Sequence, residues 1–357
     1  MNILYLATDA FGANGGIAQS NQDLLRGLSK IEDIECINLV TKSGLSIGSP
    51  GIDKVKALNV RKVSTFGFVW LAIRSAMGGS NVIICGHMNY LYLGVFLKIC
   101  TNSKLALMAH GIEVWRGNKK KAFFTSWVDS IWHVSFFTKK QMSKWLTLHE
   151  SKYTWLPNLI DLEEYKKHPK NKAIQKKYGL ENKKVLLTIS RLSSTERYKG
   201  HDELISVMPR LISFYPDIRY LIVGDGDDRV RLEYRVSQLG IQDYVVFSGY
   251  VSQEEKLDIY AISNLFVMVG TGEGFGLVYL ESLACGTPVV GSVLDASREV
   301  LLDGKIGELA NPKDLDSIVE AVTRALINPT REYPELIEFS WPKYLARVKS
   351  AYQSLVQ

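Results

Sequence analysis

The stretch LFVMVGTGEGFGLVYLESLACGTPVVGS, from Leu265 to Ser292, opens with a continuous apolar run of strand length and closes with a second one. Gly272, Gly274 and Gly276 lie between the first run and a helical segment, and they allow a tight turn that brings the backbone close to a ligand. The helix directs its first N–H groups and the positive end of its dipole at this turn. The stretch therefore predicts a β-α-β unit with an anion-binding turn.

The same alternation of apolar strand, loop and amphipathic helix runs along the whole chain. The predicted strands are NILYLATDA, IECINLV, NVIICGH, KLALMAHG and IWHVS, then KVLLTISRL, RYLIVGDG, YVVFSGYV, LFVMVG and PVVGS. Prolines and charges interrupt the pattern at 157–172, where we place a linker. We therefore predict an α/β protein with two Rossmann-like doubly wound domains, at 1–160 and 161–340, and a helix at 341–357 that could pack on either and is expected on the first.

Composition limits the function classes. The chain has 357 residues, 46% hydrophobic and 22% charged, which is typical of a folded globular protein. The formal net charge of +6 is too small and too dispersed to indicate nucleic-acid binding, but it suits acidic small molecules or an anionic membrane surface. The start is typical of a strand rather than a signal peptide, and no apolar run reaches the ~20 residues of a membrane span. Four dispersed cysteines without a C-x-x-C pair predict reduced thiols and a cytoplasmic location: Cys36, Cys85, Cys100 and Cys285.

Two glutamates flank the anion-binding turn, Glu273 before the helix and Glu281 inside it. Neither carboxylate would attract a phosphate, so we expect both to accept hydrogen bonds from hydroxyl groups. A sugar on one side of a diphosphate and a ribose on the other would satisfy both, while the helix end holds the phosphates. The pattern therefore predicts a nucleotide-sugar ligand.

These residues carry a family resemblance. EGFGLVYLE followed by SLACGTPVV resembles the E-x7-E signature of glycosyltransferase family 4, the retaining transferases of GT-B fold. GGIAQ, HGIEVW, LPNLID, SRLSSTERYKGHDELI and VFSGYV resemble further family segments in the same order along nearly the whole chain. The resemblance implies two Rossmann-like domains that face each other across a cleft, a nucleotide-sugar donor as substrate, and no metal or other cofactor.

The resemblance also implies roles for individual residues. Glu273 would contact hydroxyls of the transferred sugar, and Glu281 would contact the ribose. Arg191 and Lys199 would stabilise the charge that grows on the departing diphosphate. Arg197 is an alternative to Lys199, although the Lys-Gly pair that opens a helix favours Lys199.

Further contacts are expected at other strand ends. His110 follows a strand of the first domain, and we favour a contact with the donor sugar over a histidine that only caps the strand. Gly15 and Gly16 either bring N–H groups near the diphosphate or form a plain turn. The remaining donor-binding candidates act largely through their backbone, three at the glycine-rich turn and one beside the base: Phe275, Gly276, Leu277 and Val251.

Two other motifs have ordinary interpretations. GDGDDR, at 224–229, resembles a dinucleotide fingerprint, but it lacks the third glycine and its aspartates would repel a pyrophosphate. We therefore expect a solvated loop. Asp225 and Asp227 have the spacing of a metal-binding D-x-D pair in an unsuitable place, and the histidines show no metal-ligand spacing, so we expect no metal site.

The run RGNKKKAFFTSWVDSIW mixes basic and aromatic residues. Such a run could rest on an anionic membrane at the inner face of the cell membrane or receive an acidic acceptor. The alternative, which we favour, is a helix with one buried face and solvated lysines.

Together these features predict a hexosyltransferase, and the resemblance implies that it retains the anomeric configuration. It would move a hexosyl unit from GDP-mannose or a UDP-hexose to a hydroxyl of a saccharide or lipid-linked acceptor in cell-surface polysaccharide or lipopolysaccharide synthesis. Two alternatives stay open: a non-hydrolysing sugar-nucleotide epimerase, and a nucleotide-sugar-binding protein without turnover.

Overall fold

Parallel strands form two separate sheets in the computed structural model of the chain, which describes residues 1–11, 15–44, 51–59, 61–329 and 332–357. One sheet belongs to a unit made of Met1–Leu159 and Phe339–Gln357, the other to a unit made of Ile160–Glu338. Each sheet is entirely parallel, and helices lie between most of the consecutive strands. The predicted fold class, two Rossmann-like α/β units, is confirmed.

The first unit has seven strands in the order β3-β2-β1-β4-β5-β6-β7. The strands are β1 (Asn2–Ala7), β2 (Cys36–Thr41), β3 (Val55–Ala57), β4 (Val82–Cys85), β5 (Lys104–Ala109), β6 (Ser130–His133) and β7 (Tyr153–Trp155). The helices are α1 (Gly16–Ser29), α2 (Thr65–Met77), α3 (Leu91–Thr101), α4 (Ile112–Trp115), α5 (Lys119–Ser126), α6 (Phe136–Met142) and, at the C-terminus, α14 (Trp341–Val356). Strand order reverses between β1 and β4, so the carboxyl ends of these strands form the switch point of the sheet.

The C-terminal helix α14 belongs to the first unit because it packs on α1. A Cβ atom built at Gly27 would lie 3.2 Å from the Val348 side chain, so the small residue on α1 admits α14 at close range. Arg347 on the same helix lies over the Trp155 ring, with its guanidinium carbon 4.7 Å from the ring centroid. The first unit is therefore completed by residues from both ends of the sequence.

The second unit has six strands in the order β10-β9-β8-β11-β12-β13. The strands are β8 (Lys184–Ile189), β9 (Ile218–Val223), β10 (Val245–Gly249), β11 (Leu265–Val267), β12 (Val289–Ser292) and β13 (Glu308–Ala310). The helices are α7 (Lys172–Lys177), α8 (His201–Phe214), α9 (Arg229–Gln238), α10 (Gln253–Ile262), α11 (Leu277–Ala284), α12 (Ser297–Val300) and α13 (Leu315–Ile327). Order reverses between β8 and β11, which places the switch point of this sheet at their carboxyl ends.

The sequence did not predict three strands that the structure contains: β3, β7 and β13. Each has three residues, each lies at a sheet edge, and most of their residues are only half-buried or exposed. A strand buried on both faces gives a long apolar run, whereas a short edge strand does not.

Among the helices of the described residues, none combines the length and the apolar character that crossing a membrane requires.

Candidate functional site

The switch point of the second sheet gathers most of the predicted catalytic side chains. The loop after β8 carries Arg191 and ends at a 3-10 turn that contains Lys199. The loop after β11 carries Glu273. Since β8 and β11 are neighbours, their carboxyl ends bring the two loops side by side.

Glycines allow these two loops to pack closely. The Tyr198 carbonyl accepts a hydrogen bond from the Thr271 N–H at 2.8 Å. A Cβ atom at Gly270 would lie 2.4 Å from that carbonyl oxygen, and one at Gly272 would lie 2.4 Å from the Tyr198 ring. Any larger residue at these positions would push Tyr198 away, and with it the adjoining Lys199.

Lys199 and Glu273 form an ion pair at this contact. The Lys199 Nζ donates to Glu273 Oε2 at 2.6 Å, and the two side chains are only 17% and 16% exposed. Burial alone would lower the pKa of Lys199, but the charge of Glu273 and its hydrogen bond outweigh burial and raise it. Lys199 is therefore a fixed cation at neutral pH.

The structure separates the roles of the two arginines near this pair. Arg191 is 78% exposed and pairs with Glu196 of its own loop. Arg197 instead donates through Nε to Asp228 at 3.1 Å, and Asp228 is buried. Of Lys199 and its alternative Arg197, Lys199 is the one in contact with Glu273.

Asp295, which follows β12, holds the backbone of the Glu273 loop. Its Oδ2 accepts a hydrogen bond from the Glu273 N–H at 3.0 Å, and its Oδ1 accepts one from the Ser297 N–H at 3.0 Å. Burial raises the pKa of Asp295 to about 6, against hydrogen bonds that favour the charged form. The backbone of Glu273 is thus held by a buried carboxyl group whose pKa is raised.

Helix α11 begins directly after this loop. Gly276 is its N-cap in the left-handed conformation, with φ of 89°, and a Cβ there would lie 2.4 Å from the Tyr279 ring. Phe275 is buried and Leu277, the first helical residue, is half-buried. Glycine at this position therefore lets the chain turn sharply so that the positive end of α11 lies beside the Glu273 loop.

Glu281 lies inside α11 in a separate cluster of hydrogen bonds. Its Oε2 accepts from the Tyr260 hydroxyl at 2.7 Å and pairs with Lys256 Nζ at 3.0 Å, and its Oε1 accepts from the Tyr165 hydroxyl at 3.0 Å. Burial, and then the charge of Glu281, raise the pKa of Tyr260 well above its ordinary value, so this phenol remains a donor. The buried carboxylate thus has three side-chain partners within its own unit.

Val251 lies just after β10, half-buried, and precedes Ser252, which caps α10 by accepting from the Glu255 N–H at 3.2 Å. This position is at the same carboxyl edge of the second sheet as the Glu273 loop.

The aspartate-rich run after β9 differs from the expected solvated loop. A Cβ at Gly224 would lie 1.9 Å from the Ser190 carbonyl oxygen, and one at Gly226 would lie 2.1 Å from that of Leu192. These glycines thus allow two backbones to approach each other. The expectation is wrong for Asp228, which is 4% exposed and is neutralised by Arg231 and Arg197.

His110 occupies the carboxyl end of β5 in the first unit. It is buried, and its Nε2 donates to the Gly86 carbonyl at 2.9 Å, because a carbonyl can only accept. Burial lowers the pKa of His110, so the ring is neutral at neutral pH. The Glu113 carboxylate accepts from the His110 and Gly111 N–H groups at 2.7 and 3.2 Å. The imidazole therefore ties the end of β5 to the end of β4.

Gly15 and Gly16 lie at the start of α1, which follows β1 in the first unit. Gly15 is the N-cap with extended backbone, and Gly16 is exposed. The preceding residues 12–14 of the glycine loop lie outside the described residues.

Several residues of these clusters were not predicted from the sequence. Asp295 follows a predicted strand, and its position at a carboxyl strand end is a signal that could have found it. The partners of Glu281 lie in helices or loops far from the motif, and nothing in the sequence indicated them: Tyr165, Lys256 and Tyr260. Within the ranges that the structure describes, no group of three or more His, Cys, Asp or Glu side chains is arranged to hold a metal ion.

Comparison with known proteins places the second unit among sequences similar to glycosyltransferases. Residues 170–338 match the family model described as glycosyl transferases group 1. A GDP-mannose-dependent alpha-(1-6)-phosphatidylinositol monomannoside mannosyltransferase from Mycolicibacterium smegmatis is 36% identical over 184 residues, which cover 49% of this chain and 47% of the relative. The chain spans about half or less of the length of the curated relatives it matches.

Solved structures resemble the whole chain. Anabaena HepE, in complex with UDP and glucose, has a TM-score of 0.73 at 18% identity, covering 99% of this chain and 95% of that one. The apo form of the lipopolysaccharide outer core galactosyltransferase WaaB has a TM-score of 0.73 at 16% identity, covering 99% of each chain. Residues 170–338 in the second unit therefore resemble the glycosyl transferases group 1 family, and the whole chain shares the two-unit α/β fold of these solved structures.

Proposed function

We propose that the protein is a retaining glycosyltransferase that moves a hexosyl unit from a nucleoside diphosphate sugar to a hydroxyl of a saccharide or lipid-linked acceptor. The observation that carries this proposal is the buried Lys199–Glu273 pair at the switch point, beside the exposed Arg191 and the start of α11. Two cations and a helix end suit a diphosphate, and the carboxylate of Glu273 suits sugar hydroxyls. The donor names of the relatives, GDP-mannose in one and UDP with glucose in another, support this class of substrate.

In the proposed reaction the bond between the anomeric carbon and the diphosphate oxygen breaks, and the acceptor oxygen bonds to the same carbon on the same face. The acceptor's hydroxyl proton passes to the leaving phosphate oxygen. Lys199 and Arg191 stabilise the charge that the diphosphate gains. Glu273 accepts hydrogen bonds from the sugar hydroxyls, and Glu281 accepts them from the ribose. The chain's contribution is positioning and charge stabilisation.

The donor is best identified by thermal unfolding in the presence of GDP-mannose, UDP-glucose and ADP-glucose. A donor at 100 times its dissociation constant should add about 2.7 kcal/mol of stability. Arg191→Gln should weaken the shift without changing the unfolding temperature of the free protein, since Arg191 is exposed. Arg197→Gln is the matched control, because it removes a cation bound to Asp228 instead. The proposal fails if none of the nucleotide sugars stabilises the protein.

Transfer itself is tested by supplying the stabilising donor with and without an acceptor. A transferase releases the nucleoside diphosphate faster when a saccharide or lipid-linked acceptor is present. Isomerised sugar nucleotide formed from donor alone would indicate an epimerase, and donor binding without either product would indicate a binding protein.

We further propose that the acceptor belongs to cell-surface glycan synthesis and that the protein meets it at the inner face of the cell membrane. The name of the mycobacterial relative, which includes a phosphatidylinositol monomannoside, supports a lipid-linked acceptor. Isolation of the protein from cells, followed by assay of membrane and soluble fractions, tests this location.

A further inference from the structure

Three helices of the first unit present large apolar side chains to solvent. Helices α2, α3 and α5 follow β3, β4 and β5, and α3 packs against both α2 and α5. Their outward-facing residues are between 40% and 89% exposed: Phe66, Trp70 and Met77 from α2, Tyr92, Phe96 and Ile99 from α3, Phe123 from α5 and Trp127 just after it. We call this set the apolar face.

The exposed side chains of α3 have the spacing of residues on one side of a helix. Tyr92, Phe96 and Ile99 follow an i, i+4, i+7 pattern, which places them along one side of α3. The remaining sides of α3 contribute Leu91, Val95 and Leu97 to the buried core of the unit. Helix α3 therefore carries apolar side chains toward solvent as well as toward the core, which helices at the surface of globular proteins rarely do.

The charged residues of these three helices have one sign. Helices α2, α3 and α5 contain five basic residues and no Asp or Glu. Arg74 lies over the exposed Trp70 ring at 5.3 Å, and Lys120 lies over the Tyr92 ring at 5.2 Å. Aromatic rings beside cations are typical of side chains at the boundary between lipid headgroups and acyl chains.

We propose that the apolar face docks on the surface of an anionic lipid bilayer. The aromatic and aliphatic side chains enter the outer part of the acyl layer, and Arg74, Lys119 and Lys120 meet the phosphates of the lipid headgroups. The three helices contain no Asp or Glu, which favours an anionic lipid surface. An apolar patch on a partner protein would not by itself select against acidic residues. This surface would explain how the protein reaches the inner face of the cell membrane, the location proposed above. Vesicle binding can be measured without a nucleotide sugar, so it is tested separately from the proposed transfer reaction.

The test is co-sedimentation with vesicles of phosphatidylcholine alone and of phosphatidylcholine mixed with phosphatidylglycerol. The protein should bind the mixed vesicles more tightly. The triple variant Trp70→Ser, Phe96→Ser, Phe123→Ser should bind them about 100-fold more weakly. Lys119→Gln with Lys120→Gln should weaken binding by about fivefold for each lysine, and high salt should cancel this second effect.

A matched control replaces exposed apolar residues of the second unit, and this variant should bind like the unsubstituted protein: Phe214→Ser, Tyr234→Ser and Ile327→Ser. Thermal unfolding of the first triple variant should change little, because the removed side chains are exposed. Vesicles with brominated acyl chains should quench the fluorescence of the protein, and Trp70→Phe should reduce that quenching.

The proposal is overturned if the protein binds neither kind of vesicle or if the triple variant binds as well as the original. It is also overturned if sedimentation equilibrium shows self-association that the triple variant abolishes, without vesicle binding. In that case the apolar face joins two copies of the chain.

Discussion

Glu273 and Glu281 are the same residue type in two adjoining regions, a loop and the helix that follows it, and their side chains are 16% and 11% exposed. Glu273 pairs with Lys199 at a strand switch point, whereas Glu281 accepts hydrogen bonds from two tyrosines and pairs with Lys256. The carboxylate of Glu273 forms an ion pair with Lys199, a cation that could also bind a phosphate. The second is held in place by its own unit. Burial alone therefore does not distinguish their roles, but the partners do.

Removing the charge of Glu273 should have the largest effect. Glu273→Gln should lower the rate of transfer by about 10²- to 10³-fold, because an acceptor for the sugar hydroxyls is weakened and the neighbouring cation is no longer balanced. It should also destabilise the fold by about 3 kcal/mol, since Lys199 is left buried without its counter-charge. Urea unfolding and a transfer assay measure the two effects separately.

A double variant separates the chemical role of Glu273 from its structural role. Lys199→Met combined with Glu273→Gln should recover most of the lost stability, because no unpaired charge remains, while transfer stays low. Recovery of transfer in this double variant would contradict the proposed roles of both residues.

Glu281→Gln should act on donor binding rather than on the chemical step. If the carboxylate accepts from the ribose, the KM for the donor should rise by about 30-fold with kcat nearly unchanged, since a hydrogen bond to a charged group is worth about 2 kcal/mol. Tyr165→Phe is the matched control, because it removes a donor of the same cluster and keeps the carboxylate. Equal KM values for wild type and Glu281→Gln would make Glu281 a purely structural residue.

Gly272→Ala tests whether close packing of the two loops positions Lys199. The added methyl group meets the Tyr198 ring, so we expect a loss of about 2 kcal/mol in unfolding free energy and a fall in transfer. At Gly15, no described atom lies within 4 Å of the place that a Cβ would occupy, so Gly15→Ala should leave the unfolding free energy almost unchanged. Equal stability of the two variants would show that the contact between Gly272 and Tyr198 is dispensable.

Asp295 gives the smallest expected effect, a change with pH. Because its pKa is raised to about 6 in the folded protein, the folded state binds a proton that the unfolded state releases, and stability falls as pH rises through 6. Between pH 5 and pH 7 the unsubstituted protein should lose about 1.4 kcal/mol relative to Asp295→Asn. Urea unfolding of both proteins at pH 5 and pH 7 measures the difference. If the unfolding free energy changes equally with pH in both proteins, the pKa of Asp295 is not raised.

The sequence by itself determined the α/β class and the repeated order of strands and helices. The reason is that strands buried on both faces must be apolar along their whole length, so they are visible in the sequence. The glycine-rich turn and its two glutamates were visible because backbone freedom and charge are properties of residue type. The short edge strands lacked such signals and were not among the predicted strands.

Only the tertiary structure decided which side chains meet. It placed Lys199, rather than Arg197, against Glu273, supplied Asp295 from a third strand, and surrounded Glu281 with residues that lie from 21 to 116 positions away. It also showed that α2, α3 and α5 lie side by side with apolar residues outward. These contacts join segments that are distant in the chain, and residue type and spacing alone cannot specify them because pairing depends on how the strands are ordered in the sheet.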